Sequence, residues 1–190
     1  MVGSVVQTLL DAGLDAVVVV TRSEFVARLG VPIDTRLSVA VNDNASSQMI
    51  DSIRIGLSVL FDDCVASGGE EDKPSLVDRT SDCTGILVVP GDMPGLAVAT
   101  CRLCVEAYRQ APTKIIVATH NGRQGHPLIF PATLRSVVHQ LDVGLNTLPC
   151  LYRDRVRLVE TCDPATLEDV DTWDQYRSLS PVPPENSVPP

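Results

Sequence analysis

The segment Thr84-Gly85-Ile86-Leu87-Val88-Val89-Pro90-Gly91-Asp92-Met93-Pro94 decides the fold class. Ile86, Leu87, Val88 and Val89 form an unbroken apolar run between Gly85 and Pro90, the pattern of a strand covered on both faces, as in parallel sheets. Pro90-Gly91 turns the chain and delivers Asp92 just beyond the strand's carboxyl end, the edge where open α/β sheets bind ligands. A carboxylate there suits a divalent metal. The same Gly-Asp-x-Pro spacing also suits a turn aspartate that accepts from its own backbone.

Working outward, short apolar runs at residues 16–20, 37–41, 114–118, 128–130 and 156–159 read as further strands. Helical periodicity at residues 2–12, 96–108 and 132–141, and from residue 46 or 47 through Phe61, supplies the connections, with Gly13 ending the first helix. Ser23 caps an expected helix over 24–29, and residues 145–152 read as helical or irregular. Residues 120–127 read as a polar, glycine-bearing connection and 66–83 as an exposed loop. Residues 170–179 form a closing helix and 180–190 a proline-rich disordered tail. Strands alternating with helices give an α/β domain over residues 1–179 with a mainly parallel sheet and right-handed crossovers. The strand ends after Val20, Val41 and Val89 all deliver polar residues, which a doubly wound sheet gathers at one edge.

The chain has 190 residues, 44% of them hydrophobic but only 4% aromatic, so its core is built from Val, Leu, Ile and Ala. A net charge of −9 argues against sequence-independent binding of nucleic acid or of an anionic membrane. No secretory signal and no apolar run of spanning length is present, which points to a reduced, cytoplasmic protein. Six cysteines follow no repeating spacing, and Cys101-Arg-Leu-Cys104 falls in a helical segment with no second pair, against a structural zinc site.

Three segments carry a resemblance: Gly91-Asp92-Met93-Pro94, Gly122-Arg123-Gln124-Gly125-His126-Pro127 and Val170-Asp171-Thr172-Trp173-Asp174-Gln175-Tyr176. In this order they resemble the MobA-like nucleotidyltransferases, nearest the molybdenum-cofactor cytidylyltransferase branch. The resemblance implies a Rossmann-like three-layer α/β/α sandwich that transfers a nucleotidyl group from an NTP to a phosphorylated acceptor such as molybdopterin. Mg²⁺ is the implied cofactor and pyrophosphate the leaving group. Asp92 is then the catalytic metal ligand and Asp171 a second metal carboxylate, although Asp171 equally suits an N-cap. Asn42, Ser52 and Gly91 fall on the nucleotide side, with Gln48 standing where the family pattern has a glycine. His126 and Asn146 fall on the acceptor side, Asn146 in company with Asp142 and Gly144; a loop histidine such as His126 also suits plain solvation. The Gly-x-x-Gly-His-Pro form favours CTP over GTP.

The family's opening strand and glycine-rich loop, with its Arg and Lys, have no counterpart here. The only lysines, Lys73 and Lys114, match no phosphate contact of the family. The expected domain therefore lacks the family's first, central strand, whose neighbours are left with unpaired edges. Turnover by the 190-residue chain is expected to be weak. Two functions follow: a nucleotidyltransferase, whose full form has a start further upstream, or a homologue that keeps the scaffold for binding without transfer.

Overall fold

The computed structural model describes residues 1–61 and 83–168. The expected loop 66–83 apart from Cys83, the closing helix 170–179 and the tail 180–190 lie outside these described residues.

The chain opens with α1 (Val2–Asp11), whose apolar stripe buries Val5, Val6 and Leu10. Gly13 takes φ +86°, and the Gly13 and Leu14 amides bond back to the Leu10 and Leu9 carbonyls, closing the helix in a Schellman turn. β1 (Val17–Thr21) and β2 (Leu37–Val41) pair in parallel across the single-turn helix α2 (Ser23–Val26). α2 is shorter than its sequence pattern and Ser23 does not cap it. Instead the Ser23 amide donates to Asp43 Oδ1 at 2.8 Å, so the acceptor comes from the end of β2.

α3 (Met49–Leu60) starts later than expected, at a capping box in which Gln48 and Asp51 each accept from the other's backbone amide. β3 (Gly85–Val88) leads to α4 (Val98–Gln110), whose first turn is held by Asp163: one carboxylate oxygen accepts from the Ala97 amide at 3.0 Å and from Thr100 Oγ1 at 2.8 Å. β4 (Ile115–His120) and β5 (Arg123–Pro131) follow, then α5 (Arg135–His139), α6 (Leu148–Leu151) and β6 (Val156–Glu160), with 3₁₀ turns between them.

Residues 123–127 are a strand and not the polar connection read from the sequence. Asn121 at φ +50° and Gly122 at φ +73° form a two-residue hairpin turn, which needs the left-handed conformation at both positions. Glu160 Oε2 accepts from Thr119 Oγ1 at 2.6 Å and from the Gly122 amide at 3.4 Å, tying the turn to β6. The Thr119 bond, with help from the turn amides, holds the Glu160 carboxyl below its ordinary pKa.

The described strands form two sheets, β1-β2 and β3-β5-β4-β6. β5 runs antiparallel to both its neighbours, while β1-β2 and β4-β6 are parallel. The domain is thus α/β with parallel-rich sheets. β4 shows the strict period of two: Ile115 and Val117 enter the core under α3, α5 and α6, and Ile116 and Ala118 the core under α4. Phe130, fully buried, anchors the first of these, and its replacement by Ala leaves a cavity that costs about 3–5 kcal/mol, read as a matching loss in urea unfolding.

Cys101 and Cys104 are fully buried on α4, and burial pushes both thiols up to about 12. They are core side chains, in keeping with the absence of a zinc pattern. At pH 8 neither forms the reactive thiolate. Iodoacetamide is expected to modify exposed Cys150 and Cys162 in the folded protein, and Cys101 and Cys104 only after denaturation, as read by peptide mass spectrometry.

Candidate functional site

Among the described residues, no strand of one sheet pairs with a strand of the other. Between β1 and β3 lies a cavity of about 720 Å³, lined from the sides by both strands and from above and below by helices. Among the described residues, Ser52 and Gly56 of α3, Val20 of β1, and Gly91 and Asp92 after β3 reach it, so the polar ends of the first and third strands share one opening.

Several local devices shape that opening. Asn42, directly after β2, is fixed by its amide bond to the Thr21 carbonyl at 2.8 Å and donates Nδ2 to Ser52 Oγ at 3.1 Å. Its Oδ1 accepts from the Asn44 amide at 3.3 Å. Ser52 is thereby presented on the second turn of α3, and Gly56 one turn later lets α3 approach β1, since a Cβ there would sit 3.4 Å from the Val20 methyl. Gln48, which replaces the family glycine, is used in the α3 capping box.

Asp92 follows the Pro90-Gly91 turn. Its Oδ1 is buried and has no hydrogen-bond partner among the described residues. A buried carboxylate oxygen without a donor is costly unless a cation or a ligand donor meets it. The turn is backed by α1: Ser4 Oγ donates to the Pro94 carbonyl at 3.2 Å, Thr8 Oγ1 to the Leu96 carbonyl at 3.3 Å, and a Cβ on Gly91 would meet the Val2 side chain at 3.3 Å.

The remaining candidates are placed differently. His126 lies on β5, two residues before the Leu128 partner of Val88, at the edge from which the Asp92 turn departs, but it does not line the cavity. Asn146 sits exposed in the 3₁₀ turn Leu145–Thr147, against the α5-α6 side of the core, also outside the lining. Asp171 lies outside the described residues, as does the whole 170–176 segment. No three His, Cys, Asp or Glu side chains gather into a metal cluster among the described residues. Among the described residues, Asp92 is thus the carboxylate of this edge that a divalent ion could take as a ligand. Asp15 and Arg109 also line the cavity. Neither was singled out from sequence, because each sits in a stretch whose pattern speaks only of a turn or a helix.

Comparison with known proteins bears on this arrangement. No curated protein matches the chain significantly. Among solved structures, Rv0371c from Mycobacterium tuberculosis H37Rv superposes with a TM-score of 0.63 at 25% identity, over 94% of this chain and 81% of that one. The same protein in complex with manganese gives 0.60 at 25% identity, over 94% and 84%. A nucleotidyl transferase from Methanothermobacter thermautotroptrophicus gives 0.64 at 22% identity, over 94% and 77%. A 4-diphosphocytidyl-2C-methyl-D-erythritol synthase from Anaerococcus prevotii DSM 20548 gives 0.66 at 11% identity, over 94% and 83%; these last two likenesses show the fold. None of the helices among the described residues is long and apolar enough to cross a membrane. The model of the MobA-like NTP transferase domain matches residues 1–158, and with the layered sheets and the Asp92 edge described above, the chain belongs to that family.

Proposed function

We propose that the Asp92 edge is a Mg²⁺-dependent nucleotidyl-transfer site that takes an NTP, CTP in preference to GTP, and a phosphorylated acceptor of the molybdopterin kind. The observation that carries the reading is the buried Asp92 Oδ1, which meets no donor among the described residues and lines the same cavity as Ser52, the residue that Asn42 bonds. The manganese held by the mycobacterial relative supports a divalent ion. Asp92 would hold that ion, with Asp171 as a second carboxylate, and when bound it supplies neutralisation of phosphate charge.

The chain's own residues orient the reactants. Gly91 would offer its backbone to a phosphate beside Asp92, and Ser52, fixed by Asn42, offers a hydroxyl toward the nucleotide. His126 and Asn146 are assigned to the acceptor side. An acceptor phosphate oxygen attacks the α-phosphorus in line, the bond to the β-phosphate breaks, and pyrophosphate leaves with the electron pair. No side-chain nucleophile is needed, so positioning and charge stabilisation carry the rate.

A second reading, nucleotide binding without transfer, draws on one observation: Arg109 is the one basic side chain among the described residues of the lining. Calorimetry with Mg·CTP and Mg·GTP, alongside pyrophosphate release in the presence of molybdopterin, separates the two. Asp92→Asn is expected to weaken Mg²⁺-dependent nucleotide binding at least ~10-fold. Equal affinity in wild type and Asp92→Asn would sink the Asp92 reading, no nucleotide binding at all would sink both, and binding with no pyrophosphate leaves the second. Separately, a double-mutant cycle of Asn42→Ala and Ser52→Ala in urea unfolding is expected to show a coupling of about 0.5–1.5 kcal/mol for their hydrogen bond.

A further inference from the structure

The two sheets end in unlike outer edges. β6 carries Arg157 and Glu160, charges of the kind that keep an edge strand from pairing with another chain. β2, Leu37-Ser38-Val39-Ala40-Val41, borders the other sheet with no charge, no proline and no break in its register with β1. Its hydrogen-bond phase fixes which groups look outward. The Val17 amide donates to the Arg36 carbonyl and the Asn42 amide to the Thr21 carbonyl, so residues 36, 38, 40 and 42 serve β1. Leu37, Val39 and Val41 therefore turn their amides and carbonyls away from it, and of these the Leu37 amide is spent on the Asp34 carbonyl at 3.1 Å.

The side chains of the same three residues share one face of the strand. Leu37 packs against the α1 core of Val6, Leu10 and Val17, while Val39 and Val41 are 39% and 47% exposed. Phe25 and Val26 are exposed on α2, which Asp43 ties to the end of β2, and Ile33 is exposed in the approach to the strand. Large exposed hydrophobic side chains are thus concentrated around an open strand edge. The local charge indicates what covers them. Residues 22–43 carry Arg22, Arg28 and Arg36 against Glu24, Asp34 and Asp43, a neutral stretch in a chain of net charge −9. Such an edge draws neither an acidic nor a basic partner by its charge, and it is where two copies of this acidic chain meet with least repulsion.

We propose that the outer edge of β2 is an interface between two copies of this chain, paired antiparallel about a twofold axis at Val39. In that register Val39 exchanges both backbone bonds with Val39 of the second copy, and the Val41 amide donates to the Leu37 carbonyl across the axis. The ladder ends at Leu37, whose amide already serves Asp34. Leu37 of each copy lies opposite Val41 of the other, so the two α1-side cores run together into one apolar face. Arg36 of each copy comes opposite Asn42 of the other and next to its Asp43, a match of charge that a parallel pairing does not give. The two β1-β2 pairs become one continuous sheet. Asp92 and its cavity take no part, so the interface stands or falls apart from the transfer reading.

Sedimentation velocity of the 190-residue chain from about 1 to 300 µM is expected to show a monomer–dimer equilibrium. Val39→Lys sets two like charges against each other at the axis and is expected to weaken the dimer at least ~10-fold, as is Val41→Lys. Leu158→Lys, at an exposed position on the other outer edge, is expected to leave it unchanged. Hydrogen exchange read by NMR is expected to slow at the Val39 and Val41 amides as concentration rises, with little change at Ser38 and Ala40, whose amides already serve β1. A chain that stays monomeric across the range overturns the proposal, as does a dimer that both lysine variants of β2 keep or that Leu158→Lys weakens as much. Should those variants fail to fold, exchange in the unaltered chain decides: no slowing at Val39 and Val41 with concentration overturns the proposal. So does full protection of both amides at the lowest concentration, which would mean that the edge is covered from within its own chain.

Discussion

Helix α3 is the constraint on which the arrangement rests. Its Ile50 and Leu57 are buried in the core with Ile86, Ile115 and Phe130, while Gly56, one residue before Leu57, lies against Val20 of β1. One helix thus grips both sheets at once, and a Cβ at residue 56 would come into van der Waals contact with the strand it bridges to. On the opposite face, α1 and α4 perform the same task through polar contacts: Ser4 and Thr8 donate to carbonyls of the Pro94–Leu96 stretch and Arg102 donates to the Asp11 carbonyl. The two sheets are held in register by their coats and not by a shared strand. That is why a cavity of this size can persist at the centre of a small domain.

The strands legible in the sequence were the aliphatic ones. Val17–Thr21 and Gly85–Val88 were readable from unbroken aliphatic runs, and Leu37–Val41 from its Leu and Val residues although Val39 and Val41 are exposed. β5 defeated the same criterion. Its first half, Arg123 to His126, is polar and exposed or half-buried, and only its second half, Pro127 to Pro131, is buried. The decisive signal was the Asn121-Gly122 dipeptide, whose turn chemistry demands a hairpin and hence an antiparallel strand within a parallel-rich sheet. Helix starts failed for a related reason. The caps of α2 and α4 come from Asp43 and Asp163, and Asp163 is 66 residues from the amide it serves, beyond any local pattern.

The candidate site divides in the same way. Asn42 and Ser52, ten residues apart in sequence, meet because one ends a strand and the other sits on the second turn of the next helix. Asp92 reaches their opening because β1 and β3 run in the same direction. These placements follow from strand-end logic. His126 and Asn146 were named by family resemblance alone, and the fold seats one on a strand and the other against the far side of the core, away from the cavity lining. Resemblance carried the family; topology decided which residues share an opening.

The first turn of α1 has a practical consequence. Val2 packs where a Cβ on Gly91 would lie, and Ser4 is bonded to the Pro94 carbonyl, so the start of α1 lies beside the turn that presents Asp92. A purification tag or fluorophore fused ahead of Met1 would hang over that opening, and a polyhistidine tag would bring competing imidazole ligands close to Asp92. For metal or nucleotide titration the chain is best left unmodified at this end.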